Sequence, residues 1–331
     1  MKISILSVSS GGRMLAAHIA AALGDEACRH PEKATLEILR QAFVSSDALV
    51  CIMAAGIVVR ALGPICRDKW TDPCVIVIDE RGEYVVSLLS GHHGGGNELA
   101  RRIAAITGGK AVITTASDVL GRTAVDLWAE RNGFQIRSER KLLTTIAARL
   151  VNHGVINFFS NCRCTGVPKD FHIVDSPAKA DIVLTCNEKL PDGALCFSPR
   201  NLVVGIGCNR GTSVEEIGAA VAQTCRQHDL HEGSIGGIAT IDAKIGEEGL
   251  VRYAATNGLP LRCFTKERLN RIPGITESVH ALAAVGAKGV AEPAAMLAAA
   301  SGDDPGQLIV GKMKWNNVTT AVAARNIVCV E

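Results

Sequence analysis

The segment Ser90-Gly91-His92-His93-Gly94-Gly95-Gly96-Asn97-Glu98-Leu99-Ala100 holds the densest set of residues able to move a proton or grip an anion. It follows an apolar strand pattern and opens a helical one. Successive glycines allow close backbone approach and unusual dihedrals, and a helix N-terminus presents unpaired N–H donors carrying partial positive charge. Such a turn suits a carboxylate or a phosphate. His92, His93 and Glu98 place titratable groups within or beside it, fit for general acid–base work. The same residues serve equally as a Gly-rich turn with Asn97 as helix cap and two solvent-facing histidines.

Two further strand-to-helix turns share this character. Ser9-Ser10-Gly11-Gly12-Arg13 brings a guanidinium suited to two-pronged carboxylate binding. Gly205-Ile206-Gly207-Cys208-Asn209-Arg210-Gly211-Thr212-Ser213 partly mimics a dinucleotide fingerprint, with its third glycine one position late. Its Gly207, Arg210, Gly211, Thr212 and Ser213 still form an anion-receptive helix start, although plain chain reversal explains either turn as well. Thr114-Thr115-Ala116-Ser117-Asp118 ends a strand in hydroxyls and a carboxylate, the end at which open α/β sheets bind ligands; a helix cap is the alternative. Thr240-Ile241-Asp242-Ala243-Lys244 also leaves a strand, so Asp242 and Lys244 suit acid, base or electrostatic clamp, or a plain surface ion pair.

Positioning these turns requires alternating strands and helices. Apolar runs at 3–8, 48–52, 74–78, 84–89 and 111–114 predict strands, with helices over 13–23, 31–43, 56–62, 97–107 and 122–133 between them. Residues 1–133 therefore read as an N-terminal α/β domain with a parallel layer. Residues 134–199 are less regular and read as a small mixed middle domain. A second α/β domain begins near 200 and runs to 331, with strands at 202–207 and 237–241, helices over 213–227, 245–256 and 293–300, and an extended tail. The expected fold class is α/β, two domains with parallel-type sheets joined by the middle segment.

A chain of 331 residues is long enough for two domains or three. Lys plus Arg number 35 against 33 Asp plus Glu, a net +2, so bulk attraction to nucleic acid or a membrane surface is absent. Aromatics at 4% argue against stacking on single-stranded nucleic acid, and no Walker loop is present. No apolar run reaches the length of a bilayer span, and residues 1–8 lack signal-peptide character, so the expected location is the cytoplasm. Twelve cysteines are scattered without a C-x-x-C pair and read as buried reduced thiols rather than a metal site.

Three anion-receptive turns without a nucleotide motif point to a ligand with several carboxylates. At 88–100 the sequence resembles the cobalt-precorrin-5A hydrolase (CbiG) family of anaerobic cobalamin biosynthesis. Ala54-Ala55-Gly56-Ile57-Val58-Val59-Arg60 and Ile113-Thr114-Thr115-Ala116-Ser117-Asp118 match the same pattern, and 205–213, 239–244, Val290-Ala291-Glu292-Pro293 and Lys312 resemble its CobE-like C-terminal domain. Gly96 stands where that pattern has alanine, and Gly311 where proline is usual. The resemblance implies hydrolysis of a cobalt-corrinoid small molecule, opening a δ-lactone and releasing acetaldehyde. The cobalt arrives with the substrate, so no resident metal or organic cofactor is implied. Transfer contacts with neighbouring pathway enzymes are a further implication. On this basis His92 or Glu98 is the expected base, N–H groups near Gly94 and Gly95 steady the oxyanion, and Asp242 and Lys244 handle proton transfer or orientation. Expected substrate-binding positions are Ser10, Gly11, Arg13, Gly56, Ser90, Gly91, His93, Gly94, Gly95, Asn97, Thr115, Ser117 and Asp118, then Gly207, Arg210, Gly211, Thr212, Ser213, Glu292 and Lys312. A non-catalytic corrinoid carrier would use the same turns without the titratable groups, and a nucleotide-binding enzyme is a third reading.

Overall fold

The computed structural model describes residues 1–29, 34–68, 70–92, 94–302 and 306–330. By contacts the chain forms two compact units, Met1–Leu127 and Trp128–Glu331. The first carries β1 (Ile3–Ser7), α1 (Ser10–Leu23), β2 (Ala27–Arg29), α2 (Leu36–Ser45), β3 (Ala48–Ile52) and α3 (Ala55–Leu62). It continues with β4 (Cys74–Ile78), β5 (Tyr84–Leu89), α4 (Gly96–Thr107), β6 (Lys110–Val112), α5 (Ala116–Leu120) and the start of α6 (Val125–Arg131). The helix expected over 31–43 begins at Leu36, capped by Thr35; its first three positions lie outside the described residues.

The six strands form one sheet, ordered β2-β1-β3-β4-β5-β6. β1, β3 and β4 are buried along their whole length, which is why they read as unbroken apolar runs. The layer is not parallel throughout. β5 pairs antiparallel with β4, and β6 then follows β5 in parallel. The cause is local: a crossover between parallel strands takes a dozen or more residues, and only five separate Ile78 from Tyr84. Asp79 closes the turn, its Oδ1 accepting the Arg81 N–H at 2.9 Å, and Gly82 supplies the left-handed residue (φ 73°). The ends of β5 and β6 therefore lie at the rim opposite the ends of β1, β3 and β4, about 15 Å away along five-residue strands.

The second unit contains two five-stranded sheets. The first is built from β7 (Gln135–Ile136), β8 (Ile156–Ser160), β10 (Phe171–Ile173), β11 (Ile182–Leu184) and β12 (Leu195–Ser198), with α7 (Arg140–His153) preceding β8 and β9 (Cys164–Thr165) following it. Its core is aromatic: the buried Trp128 ring meets Phe134, Phe158, Phe171 and Phe197 edge-on. This sheet covers the segment read as a middle domain, inside the second unit.

The other sheet, ordered β15-β14-β13-β17-β16, uses β13 (Leu202–Cys208), β14 (Ile235–Ile241), β15 (Leu261–Phe264), β16 (Gln307–Lys314) and β17 (Val318–Ala324). β13, β14 and β15 run parallel, while β17 is antiparallel to β13 and to β16. Helices α8 (Val214–Gln227), α9 (Glu248–Thr256), α10 (Lys266–Asn270), α11 (Val279–Val285) and α12 (Ala291–Ala299) surround it, and β18 (Ile327–Val328) pairs with β9. The alanines of α12 have a packing reason. Ala294, Ala295 and Ala298 are fully buried, and a Cβ on Gly205 of β13 would overlap the Ala291 carbonyl.

Candidate active site

The turn after β5 folds back on itself before α4 begins. Ser90 adopts a left-handed conformation (φ 50°) that non-glycine residues rarely take, as does Gly95 (φ 72°). The Gly96 N–H donates to the Ser90 carbonyl at 3.3 Å, Asn97 to Gly91 at 2.9 Å, and Gly95 to His92 at 2.9 Å. Packing explains the glycines better than flexibility does. A Cβ on Gly94 would lie 2.7 Å from the Ser90 carbonyl, and one on Gly91 2.5 Å from Asn97 Oδ1. At Gly96 the family's alanine would meet Ser87 Oγ at 3.1 Å and Cys74 Cβ at 3.2 Å, so here the glycine fits without displacing either.

This turn delivers His92 to the residues that end the β6 segment. His92 Nε2 lies 2.8 Å from Asp118 Oδ2 and 3.1 Å from Ser117 Oγ. Asn97 Nδ2 donates to Asp118 Oδ2 at 2.9 Å and to Thr115 Oγ1 at 3.1 Å. Arg101, one turn into α4, donates to Asp118 Oδ1 at 2.6 Å. Burial alone would raise the Asp118 carboxyl, yet the hydrogen bonds from Arg101 and His92, with their charges, hold it below the ordinary aspartate value. Asp118 is thus a fixed anion with three donors. When Nε2 carries the proton given to Asp118, the neutral imidazole keeps its lone pair on Nδ1, free to accept a proton from water.

Three further expected residues belong to this rim. The Gly95 N–H is spent inside the turn, so it is not available to steady an oxyanion. Glu98 does not join His92; its side chain is 71% exposed and faces Arg101 at 3.6 Å. His93 lies outside the described residues.

Ser10, Gly11, Arg13 and Gly56 stand at the opposite rim of the same sheet, at the starts of α1 and α3. A cavity of about 390 Å³ opens there, lined by Val8, Ser9, Met53, Ala54, Asp79 and Glu80 among others, with no Lys, Arg or His among the described residues of its wall. Ser9 Oγ caps α1 by accepting from the Gly12 N–H at 3.0 Å, and the Glu80 carboxylate lies directly over Gly11. The chain's own carboxylate thereby stands beside the helix start that the sequence suggested for a ligand's.

In the second unit, β13 and β14 end at a common rim, which brings Gly207, Arg210, Gly211, Thr212 and Ser213 together with Asp242 and Lys244. Their bonding is internal. Ser213 Oγ accepts from Glu216 N–H at 3.2 Å, and the Thr212 hydroxyl donates to the Asn209 carbonyl at 2.9 Å. Asp242 and Lys244 are not paired with each other: Asp242 accepts from its neighbour Ala243 N–H at 2.8 Å, while Lys244 Nζ meets Glu247 Oε2 at 2.9 Å. Glu247 also accepts the Gly211 N–H. The Lys244 hydrogen bond, with smaller help from Gly211 and Arg210, holds the Glu247 carboxyl below its usual range. Glu292 is 5% exposed and spent on structure, accepting from Thr276 Oγ1 at 3.0 Å and the Lys312 N–H at 2.8 Å. It is the Lys312 backbone, not its ammonium, that makes this bond.

The family profile described as Cobalamin synthesis G N-terminal matches residues 37–118, and that described as Cobalamin synthesis G C-terminus matches residues 202–323. The cobalt-precorrin-5A hydrolase of Priestia megaterium is 36% identical over 310 residues, covering 86% of this chain and 80% of the relative. That of Salmonella typhimurium is 33% identical over 302 residues, covering 85% and 82%. The chain belongs to the cobalt-precorrin-5A hydrolase (CbiG) family. A solved cobalamin biosynthesis protein G homolog from Sulfolobus solfataricus is 21% identical, covers 98% of this chain and 97% of its own, and superposes with a TM-score of 0.39.

The N-terminal match of this hydrolase-family chain takes in His92, Asn97, Arg101 and Asp118, and leaves Ser10, Gly11 and Arg13 outside. Reading the sequence missed Arg101 and Glu247 as partners of the key carboxylate and lysine. Arg101 had a signal, since it sits three residues after Glu98 on a helix face opened by the glycine turn. Its bond to Asp118 depends on β5 and β6 lying side by side, which spacing does not reveal. Among the described residues no helix is long and apolar enough to cross a membrane, and no group of three or more His, Cys, Asp or Glu is placed to hold a metal ion.

Proposed function

We propose that this chain hydrolyses cobalt-precorrin-5A, opening its δ-lactone and releasing acetaldehyde to leave cobalt-precorrin-5B, with His92 as general base and Asp118 as its orienting partner. The observation that carries this reading is the 2.8 Å bond from His92 Nε2 to Asp118, whose carboxylate is itself pinned by Asn97 and Arg101. His92 Nδ1 takes a proton from water as the oxygen attacks the lactone carbonyl. The imidazolium then returns that proton to the departing ring oxygen. Asp118 stabilises the transient positive charge and keeps the proton on Nε2. The freed oxygen carries the two-carbon unit, whose detachment draws on the electron-accepting macrocycle. One water enters and one acetaldehyde leaves.

Cobalt enters and leaves inside the substrate, and the steps above call on no resident metal or organic cofactor. The same reading puts the protein in the cytoplasm, handing corrinoid to and from neighbouring pathway enzymes by transient contact, which crosslinking in cells would test. The deciding assay is anaerobic: cobalt-precorrin-5A is mixed with protein and volatile aldehyde is trapped. Wild type should release acetaldehyde and His92→Ala should release about 10³-fold less. Tight binding without aldehyde from wild type would instead mark a carrier.

A further inference from the structure

Burial pushes the Cys51, Cys74 and Cys225 thiols up to about 12, which makes them poor nucleophiles. Cys162 and Cys186, both in the second unit, differ. β8 and β11 run parallel with Ser160 opposite Leu184, and the ladder continues as the Asn161 N–H donates to the Leu184 carbonyl at 3.3 Å. Two residues beyond each member of that pair stand Cys162 and Cys186. Asn161 Nδ2 ties the two turns together through Asn187 Oδ1 at 2.9 Å, and both thiols pack on one hydrophobic cluster. Neighbouring strands lie about 4.8 Å apart, inside the Cα separation of roughly 4.4–6.8 Å that a disulfide spans. Past the strand ends both backbones are held in place: the Cys186 carbonyl accepts the His231 N–H at 2.7 Å, and Ser160 Oγ accepts the Cys162 N–H at 3.1 Å.

Cys162 Sγ donates to Asn161 Oδ1 at 3.4 Å, next to the Asn161–Asn187 bond that joins the two turns. The two thiols are near enough to perturb each other, raising Cys162 and lowering Cys186, because a proton held on one sulfur favours the thiolate on the other. Among the thiols with a shifted value, Cys186 alone moves down. Cys162 is the more accessible of the two, and Cys186 is 7% exposed.

We propose that Cys162 and Cys186 form a redox-active dithiol, closed to an internal disulfide by a small-molecule disulfide oxidant such as oxidised glutathione. Cys162, the more accessible thiol, passes its proton to the Cys186 sulfur and attacks one glutathione sulfur, breaking the S–S bond and expelling one glutathione thiolate, which takes that proton from Cys186. Cys186 then attacks Cys162 Sγ, forming the protein disulfide and expelling the second glutathione. Two electrons pass to the oxidant, and the two thiol protons end on two reduced glutathiones.

The test treats the full-length native protein with oxidised glutathione, alkylates the remaining thiols and maps disulfide-linked peptides by mass spectrometry. Free thiols should fall from twelve to ten, with a Cys162–Cys186 linkage forming at least tenfold faster than any other pair and reopening in dithiothreitol. Cys186→Ser should stop at a glutathione adduct on Cys162, and Cys162→Ser should yield no internal link; if the buried Cys186→Ser variant does not fold, Cys162→Ser alone decides. A different pairing, or mixed adducts only in the native protein, would overturn the proposal.

Discussion

Two glycine-rich turns, one in each unit, start from the same materials and end differently. At 90–97 and at 207–213 a strand runs into a helix through glycines, and a carboxylate with a cationic partner stands close by. In the second unit Glu247 is satisfied by Lys244 and the Gly211 N–H, and the pair closes on itself. In the first, Asp118 is satisfied by Arg101, Asn97 and His92, and one of those three is an imidazole with a second nitrogen to spare. Glycines and a helix start are therefore common to the proposed site and to a turn whose carboxylate closes on its own lysine. What separates them is whether the partner bound to the carboxylate keeps a titratable atom once that bond is made.

Substitutions at the two turns can break that distinction. The largest expected effect is at His92, where alanine should lower acetaldehyde release about 10³-fold with the fold intact by circular dichroism; near-normal turnover would remove the distinction. Asp118→Asn comes next. An amide that donates to Nε2 would force the proton onto Nδ1 and should cost on the order of 10²-fold in kcat. Lys244→Ala should cost less than tenfold in turnover and about 1 kcal/mol in urea unfolding, because it breaks a half-buried ion pair. Gly211→Ala should destabilise by about 1 kcal/mol without touching kcat: its φ is 75° and a Cβ there meets nothing within 4 Å, so conformational strain is the whole effect.

The smallest effect is a pH dependence. Folding lowers the Asp118 pKa, so the stability it contributes is present above the unfolded aspartate value of about 4 and is lost as pH falls through the folded one. The stability gap between wild type and Asp118→Asn should narrow from pH 7 to pH 3. A constant gap would mean that Asp118 is not held by its donors.

Much of this was legible in the chain. β1, β3 and β4 announced themselves as apolar runs, and the turn at 90–97 by its glycines and histidines. Asp118 and Asn97 were readable as candidate residues because hydroxyl and carboxylate groups collected at a strand end and a helix start. The direction of β5 was also readable, since a five-residue link holding Asp79 and Gly82 is a hairpin length, but the alternation of helices around it suggested a uniform parallel layer. The pairing of Lys244 with Glu247 rather than Asp242 was not readable, because rotamers at a rim are chosen by three-dimensional neighbours such as the Gly211 N–H. Nor was the burial of Glu292, a carboxylate whose partners come from Thr276 and the distant strand β16.

The hairpin closed by Asp79 has one more consequence. By turning the chain around between β4 and β5, it puts an acid-walled hollow and the His92–Asp118 pair at opposite rims of a single sheet, a full strand apart. Changes in the wall of the hollow and changes around the imidazole therefore act a strand length apart, a separation at which effects on stability generally add.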